Sequence, residues 1–338
     1  MKALDLTVSP SPHWHCGARI TGEPYNFLLA LLPAMVLGVY HYGFDALRVI
    51  AASIASAMVA EAAIQSLLRK PITIADGSAA VSGLLLALIL PAGVPLYVIV
   101  VANFAGIIVG KQCFGGLGAN PLNPALVGWA IIRVTKAWAG YLDFDLALVN
   151  YNTGFIVQYP LAVLKAEGAA GLAHFHLIDL FLGKQVGGIG ASAIICLLAG
   201  GLYLVARGMI RWEIPFSFLL GVVIVSGIFW IGNRAVYASP LFHILAGNVM
   251  IGAFFLSTDN ASSPVNRWGM LAFGVGCGAM TIILRVWSVY PDGVVFACLL
   301  MSLFAPLLDK LRAKPEPPPA IRPISPPTTS VVPEERSG

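Results

Sequence analysis

The sequence predicts an all-α, polytopic integral membrane protein of about ten transmembrane helices in two parallel repeats. Three observations carry the prediction. Hydrophobic residues make up 58% of the 338 and charged residues 11%, against about 25% charged in a soluble domain. Mean hydropathy is +0.84. Apolar runs near the ~20 residues needed to cross a bilayer recur along the chain.

The runs lie at roughly 25–43, 46–68, 78–92, 95–110, 123–141, 188–207, 213–232, 238–256, 268–286 and 290–308. The first follows a polar lead, and no small-residue cleavage site follows it, so no cleavable signal peptide is read. The third and fourth are short and are separated by Pro91 and Pro95. The organisation is then an N-terminal segment (1–24), a first membrane repeat (25–141), a long loop (142–187), a second repeat (188–308) and a tail (309–338). The tail is rich in Pro and Ser and is expected to be disordered.

Orientation follows from Lys and Arg placement. One side holds Lys2, Arg19, Arg69, Lys70, Lys111, Arg207, Arg211, Arg267, Lys310, Arg312 and Lys314; the other holds Arg48, Lys165, Lys184 and Arg234. The bias puts both termini in the cytoplasm of a bacterial inner membrane and the long loop outside. The basic residues are dispersed rather than interleaved with aromatics on one face, so no nucleic-acid footprint is read. The bilayer is the expected environment.

Two polar knots interrupt the apolar pattern, ITIADGSAAVSG (72–83) and FLSTDNASSPV (255–265). Polar residues at membrane depth are costly unless something uses them. Broken, small-residue segments in corresponding positions of two halves point to a binding site. The halves echo one another: PYNFLLALLPAMVLGVYHYG (24–43) resembles PFSFLLGVVIVSGIFWIG (215–232), and PAGVPLYVIVVANFAGIIVGK (91–111) resembles PDGVVFACLLMSLFAPLLDK (291–310).

A third polar segment reads KQCFGGLGANPLNP (111–124). Gly115, Gly116 and Gly118 permit close backbone approach to a ligand. Asn120 and Asn123 offer donors and acceptors, and Asn123 also suits the cap of a helix starting at Pro124. A tight re-entrant turn satisfied by those side chains explains the same residues structurally. The candidate binding residues are Asp76, Ser78, Gly115, Gly116, Asn120, Asn123, Thr258 and Asp259. Asp76 and Asp259 equally suit helix capping. Glu61, inside the second run, must face the bundle interior or a cavity. It joins Asp76 and Asp259 as a candidate ion path, with a hydrogen-bonded structural carboxyl as the other explanation. No catalytic residue is read. Five scattered cysteines form no C-x-x-C, and no His or Cys group reaches zinc-ligand spacing, so no metal site is read.

At this point SPSPHW, ALLPA, DGSAAVSGLLLAL, KQCFGGLGANPLNPALVGW, STDNASSPVNRWG and YPDGVVFACLLMSLFAPLLD, in that order over roughly 8–310, resemble the D-type membrane subunit of Rnf-type electron transport complexes. The B-type subunit of the sodium-pumping NADH:quinone reductase is a relative. The resemblance implies a ten-helix subunit of a multi-subunit complex that passes electrons through flavins and couples their flow to sodium or proton movement. It also implies an FMN esterified to a threonine in the outward loop, within Asp-x-x-Ser/Thr-Gly-Ala-Thr.

This chain departs there. Its segment is NYNTGFIVQYPLA (150–162). Asn150 stands for the Asp, Thr153 for the Ser/Thr and Gly154 for the Gly, and Phe155 and Ile156 replace Ala-Thr. With the gap placed earlier, Tyr159 takes the acceptor slot. The expectation is a flavin (FMN or riboflavin) held without a covalent link, Thr153 and Gly154 remaining candidate contacts, with the other subunits of the complex as partners. The alternative is a non-redox, channel-like membrane subunit that has lost the flavin.

Overall fold

The computed structural model describes residues 22–116, 118–135, 138–142 and 158–311. Thr153 and Gly154, most of the N-terminal segment and the tail from 312 lie outside them. The described residues are helical or irregular, with no strand among them.

The first helix, α1 (Gly22–Leu67), contains two runs joined at Gly43, whose φ of 64° and ψ of −145° break the helical path. A left-handed φ suits glycine, which lacks the Cβ that would clash. The chain then folds back, because Tyr25 Oη, near the start of α1, donates to the Ala75 carbonyl beyond its end. Next come α2 (Ser78–Ile89), α3 (Leu96–Gly110) and α4 (Pro124–Val134). The long loop carries α5 (Pro160–Glu167) and α6 (Leu177–Phe181). Then follow α7 (Ile194–Ala206), α8 (Glu213–Gly232), α9 (Pro240–Leu245) and α10 (Val249–Ile251), which runs into a π turn at Gly252–Leu256. The last are α11 (Arg267–Trp287) and α12 (Val294–Leu308).

Among the described residues, four helical stretches are long and apolar enough to cross a bilayer: Gly22–Leu67, Leu96–Phe114, Glu213–Gly232 and Arg267–Trp287. Many large apolar side chains face outward, among them Leu29, Val36, Phe44, Ile228 and Leu303. A lipid environment removes the penalty such exposure carries in water. Without a hydrophobic force between helices in lipid, small residues set the packing. Ser53 Oγ on α1 donates to the Gly83 carbonyl on α2 at 2.7 Å, and α8 meets α11 across Gly221, Gly274 and Gly278.

Four of the sequence runs contain helices shorter than expected. The structure stops α2 at Ile89 and α4 at Val134, starts α7 at Ile194 and breaks the 238–256 run at Ala246–Asn248. Twelve residues of helix span ~18 Å, short of the ~30 Å hydrocarbon layer. The runs continue as irregular backbone, which membrane depth tolerates only where protein satisfies it. The protein does so. Leu88 O accepts from Gly190 N and Ala191 N, and Leu90 O accepts from Ile189 N, each at 3.0 Å.

At the other break, Arg285 Nη1 donates to His243 O and Nη2 to Ala246 O, both at 2.9 Å. Asp292 Oδ2 accepts from Asn248 N at 2.8 Å, and Arg285 Nη2 pairs with Asp292 Oδ1 at 3.1 Å. Arg285, Asp292, His243 and Asn248 are all buried. Hydropathy finds the apolar run but not the backbone path inside it.

Candidate functional site

A cavity of 320 Å³ opens at the end of the bundle where α1, α2 and α4 begin and α3 ends. Its apolar wall includes Phe27, Val81, Leu85 and Phe255, and the Phe27 and Phe255 rings meet edge-on at 6.3 Å. Its polar lining comes from Ser78, Ser82, Lys111, Asn120, Asn123, Thr258, Asp259 and Glu23. Residues from both halves of the sequence thus share one chamber.

Each polar residue is placed by the way its segment folds. Ser78 opens α2, and Asp76 Oδ1 accepts from its N–H at 2.8 Å and from its hydroxyl at 2.7 Å. Asp76 therefore holds Ser78, the first residue of α2, with Gly77 at the N-cap, and reaches the cavity through Ser78. Asn123 caps α4, its Oδ1 accepting from Ala125 N at 3.0 Å, with Pro124 in the first turn. The Asn123 amide also donates to Leu256 O at 3.4 Å, tying α4 to the end of the π turn. Thr258 Oγ1 donates back to Phe254 O at 2.7 Å. Asn120 Nδ2 and Ser262 Oγ donate to Asp259 Oδ2 at 3.3 and 3.0 Å. Glu23 accepts from Asn260 Nδ2 at the cavity rim.

Asp259 lies in the connection before α11. Burial raises its pKa above the ordinary carboxylate range, against the opposing pull of the Ser262, Ala261 and Asn120 hydrogen bonds and the Lys111 charge.

Behind the wall lies a second polar layer. Lys111, buried at the end of α3, donates to Glu61 Oε1 and to Ser78 Oγ, each at 2.6 Å. Gln112 and Gln65 donate to the same Glu61 oxygen at 3.1 and 3.2 Å. Glu61 Oε2 has no hydrogen-bond partner among the described residues. Gln65 also clamps Thr73, through Nε2 to Oγ1 at 2.8 Å and Oε1 from the Thr73 N–H at 2.9 Å.

The structure thus gathers Ser78, Asn120, Asn123, Thr258 and Asp259 at one cavity, with Asp76 and Glu61 one side chain removed. Gly115 and Gly116 turn the chain beyond α3 and do not line it among the described residues; Gly118 does. Sequence reasoning sees Lys111 only as a charge at a loop. A lysine directly following a long apolar run, with an acid inside an earlier run, is the signal that could have found it. Arg285 and Asp292 also escape it, although an arginine inside the 268–286 run marks a buried partner for the same reason.

The model of the NQR2, RnfD, RnfE family matches residues 7–316. The D-type subunit of the Na(+)-translocating ferredoxin:NAD(+) oxidoreductase complex of Acetobacterium woodii is 39% identical over 312 residues, covering 92% of this chain and 94% of that protein. Its counterpart in the proton-translocating ferredoxin:NAD(+) oxidoreductase complex of Clostridium ljungdahlii is 36% identical over 317 residues, 90% of this chain and 94% of that protein. The corresponding member of the ion-translocating oxidoreductase complex of Stutzerimonas stutzeri is 34% identical over 310 residues, 84% and 88%.

Proposed function

The chain belongs to the NQR2, RnfD, RnfE family, and from that membership we propose that it is the D-type membrane subunit of a complex that couples electron transfer to sodium or proton movement. Its partners are the other subunits of that complex. The observation that carries the site is the meeting of both polar knots and the Asn120–Asn123 turn at one 320 Å³ cavity. On this reading the chain spans a bacterial cytoplasmic membrane about ten times in two parallel repeats, with the cavity end and both termini on the cytoplasmic side.

The residues fit a flavin. The cavity volume falls at the lower end of the ~300–1,000 Å³ range of ligand pockets. Phe27, Phe255, Val81 and Leu85 supply apolar faces for a planar ring. Asn120, Asn123, Thr258 and Lys111 supply donors and acceptors for its polar edge. A bound flavin supplies one- and two-electron chemistry. The chain's own groups hold and orient it, and Lys111 places a positive charge beside any negative charge that develops there. The segment that carries Thr153 and Gly154 lacks the Ala-Thr step of the acceptor motif, so the flavin is held without a phosphoester link.

The test is flavin content. The purified complex should release flavin from this subunit on denaturation, leaving no fluorescent band at its mass on a gel. Ser82→Phe, which fills the cavity, should lower the released flavin per assembled complex at least several-fold. Unchanged flavin in that variant overturns the cavity assignment. A fluorescent band mapped to residues 150–160 overturns the non-covalent reading. The absence of any flavin from this chain would favour the channel-like alternative, which rests on the same departure from the acceptor motif.

A further inference from the structure

The polar knot that lines the cavity leads directly into α11, and outside the cavity the starts of α8 and α11 gather unpaired positive charge. The two helices run in the same direction, because Glu213 meets Arg267 at their starts and Gly221 meets Val275 further along. The chain reverses from α7 into α8 through a tight turn. Gly208 takes a left-handed φ of 67°, Gly208 N donates to Val205 O and Met209 N donates to Leu204 O, the bonding that closes a helix on a glycine. Ile210 is buried and anchors the turn, and Arg207 and Arg211 on either side of it are exposed. Neither arginine has an acidic or hydrogen-bonding partner among the described residues. Trp212 follows at the N-cap of α8. Arg267, the first residue of α11, sets its guanidinium 6.0 Å from the Trp212 ring and its Nε 3.5 Å from Glu213 Oε1.

Glu213 is buried, whereas the Arg267 side chain is 64% exposed. The pair thus steadies the guanidinium beside the indole while its outer nitrogens make no hydrogen bond among the described residues. Asp309, the other acid near the start of α11, is occupied by the Val265 and Asn266 N–H groups. Three arginines are therefore set against one buried carboxyl group. Beyond them α8 turns an apolar stripe outward. Phe216, Leu220 and Ile224, at four-residue spacing from Trp212, are all exposed, and the Trp212 and Phe216 rings meet edge-on at 5.9 Å. The 20 residues of α8 span ~30 Å, the thickness of the hydrocarbon layer. The arginines then lie at headgroup level and the stripe at acyl-chain depth.

We propose that Arg207, Arg211, Arg267 and Trp212 form a binding site for an anionic phospholipid, with its phosphate held by the arginines and an acyl chain laid along the Phe216–Ile224 stripe. Charge and shape commit the site to this occupant. A guanidinium fork matches a phosphate, and basic residues at headgroup level draw anionic lipid. The Trp212 indole suits the same interfacial depth. A zwitterionic lipid brings a phosphate but no net charge to balance the arginines, and a free phosphate has no use for the apolar stripe. The site lies outside the cavity and involves no flavin, so it stands apart from the flavin reading.

Native mass spectrometry of the intact purified complex tests it, after exchange into micelles carrying equal phosphatidylglycerol and phosphatidylcholine. It counts retained lipids and subunits together. Wild type should hold one phosphatidylglycerol that the Arg207→Gln, Arg211→Gln double variant releases, its affinity falling roughly five-fold for each arginine removed. Both substitutions fall at exposed positions without partners, so they leave the packing alone; Arg267 stays, because buried Glu213 depends on it. Lys70→Gln removes an exposed charge from the turn after α1 and should keep the lipid, which separates a site from general positive charge. Excess inorganic phosphate should not displace it. Equal phosphatidylglycerol in the double variant and wild type overturns the proposal, as does an equal loss in Lys70→Gln. Displacement by inorganic phosphate, or phosphatidylcholine held in the same arginine-dependent way, overturns the anionic-lipid assignment. A double variant that sheds a protein subunit instead of the lipid makes the patch a protein interface and overturns it as well.

Discussion

At the scale of single residues, the polar knots serve structure and site at once. The sequence leaves Asp76 as a ligand or a cap; in the structure Gly77 is the N-cap of α2, and Asp76 bonds Ser78, one step from the cavity. Asp259 has the clearer pH signature. Its pKa is raised, chiefly by burial, so the folded protein binds this proton more tightly than the unfolded chain does. Its contribution to stability is complete at pH below its unfolded value and is lost as pH rises through the raised folded value. Asp259→Asn removes the titration and keeps the shape. The melting temperature of that variant, relative to wild type, should therefore climb as pH rises from the acid range toward neutrality. Parallel melting curves across that range would contradict the assignment. The acids and amides of the site are visible in the sequence because their residue types are rare in apolar runs. Lys111 is not, because its partner Glu61 is 50 positions away and only the packing of α1 on α3 brings the two within reach.

At the scale of elements, the break between α9 and α10 is held by side chains from the far end of the sequence, Arg285 and Asp292. Gly247 has φ +72°, and a Cβ there would come within 2.8 Å of both Arg285 Nη2 and Asp292 Oδ2. A left-handed residue with a Cβ costs about 1–2 kcal/mol from the backbone alone, before any clash. Gly247→Ala should lower the yield of assembled complex and its melting temperature. Arg285→Met should be worse. It strips the partner from a buried Asp292 and leaves the His243 and Ala246 carbonyls unsatisfied, and breaking a buried pair by removing one partner costs roughly 3–5 kcal/mol. Adding Asp292→Asn should recover only part of the loss, because the two carbonyls stay bare. Fluorescence-detected size exclusion with thermal melts checks the order. Full recovery in the double variant would mean that the charge balance, not the bonding of the break, holds this region together. The 238–256 run is legible in the sequence as one apolar span. Its break is not, because the groups that satisfy it come from Arg285 and Asp292, and local pattern carries no information about such distant partners.

At the scale of the whole molecule, charge and aromatic placement bear on how the bundle would sit in a bilayer. The 20 residues of α8 make a helix ~30 Å long, matching the hydrocarbon thickness. An arginine–tryptophan contact marks each end: Arg267 lies 6.0 Å from the Trp212 ring at the cavity end, and Arg234 lies 4.4 Å from the Trp230 ring at the other. Paired aromatic and basic residues at these depths suit the two membrane interfaces. The cavity end also carries Arg69, Lys70, Arg207, Arg211 and Lys310. At the opposite end, Arg285 is consumed by Asp292 and Arg133 lies over Tyr290 at 4.6 Å. The excess of free positive charge therefore favours a cytoplasmic cavity end. Two thiols read out the assignment in intact cells, each in a background without other cysteines. Ala170→Cys, at an exposed position of the long loop, should react with a membrane-impermeant maleimide added outside. Native Cys113, exposed just beyond α3, should react only after the membrane is opened. The reverse pattern would invert the bundle and place the cavity on the outer face.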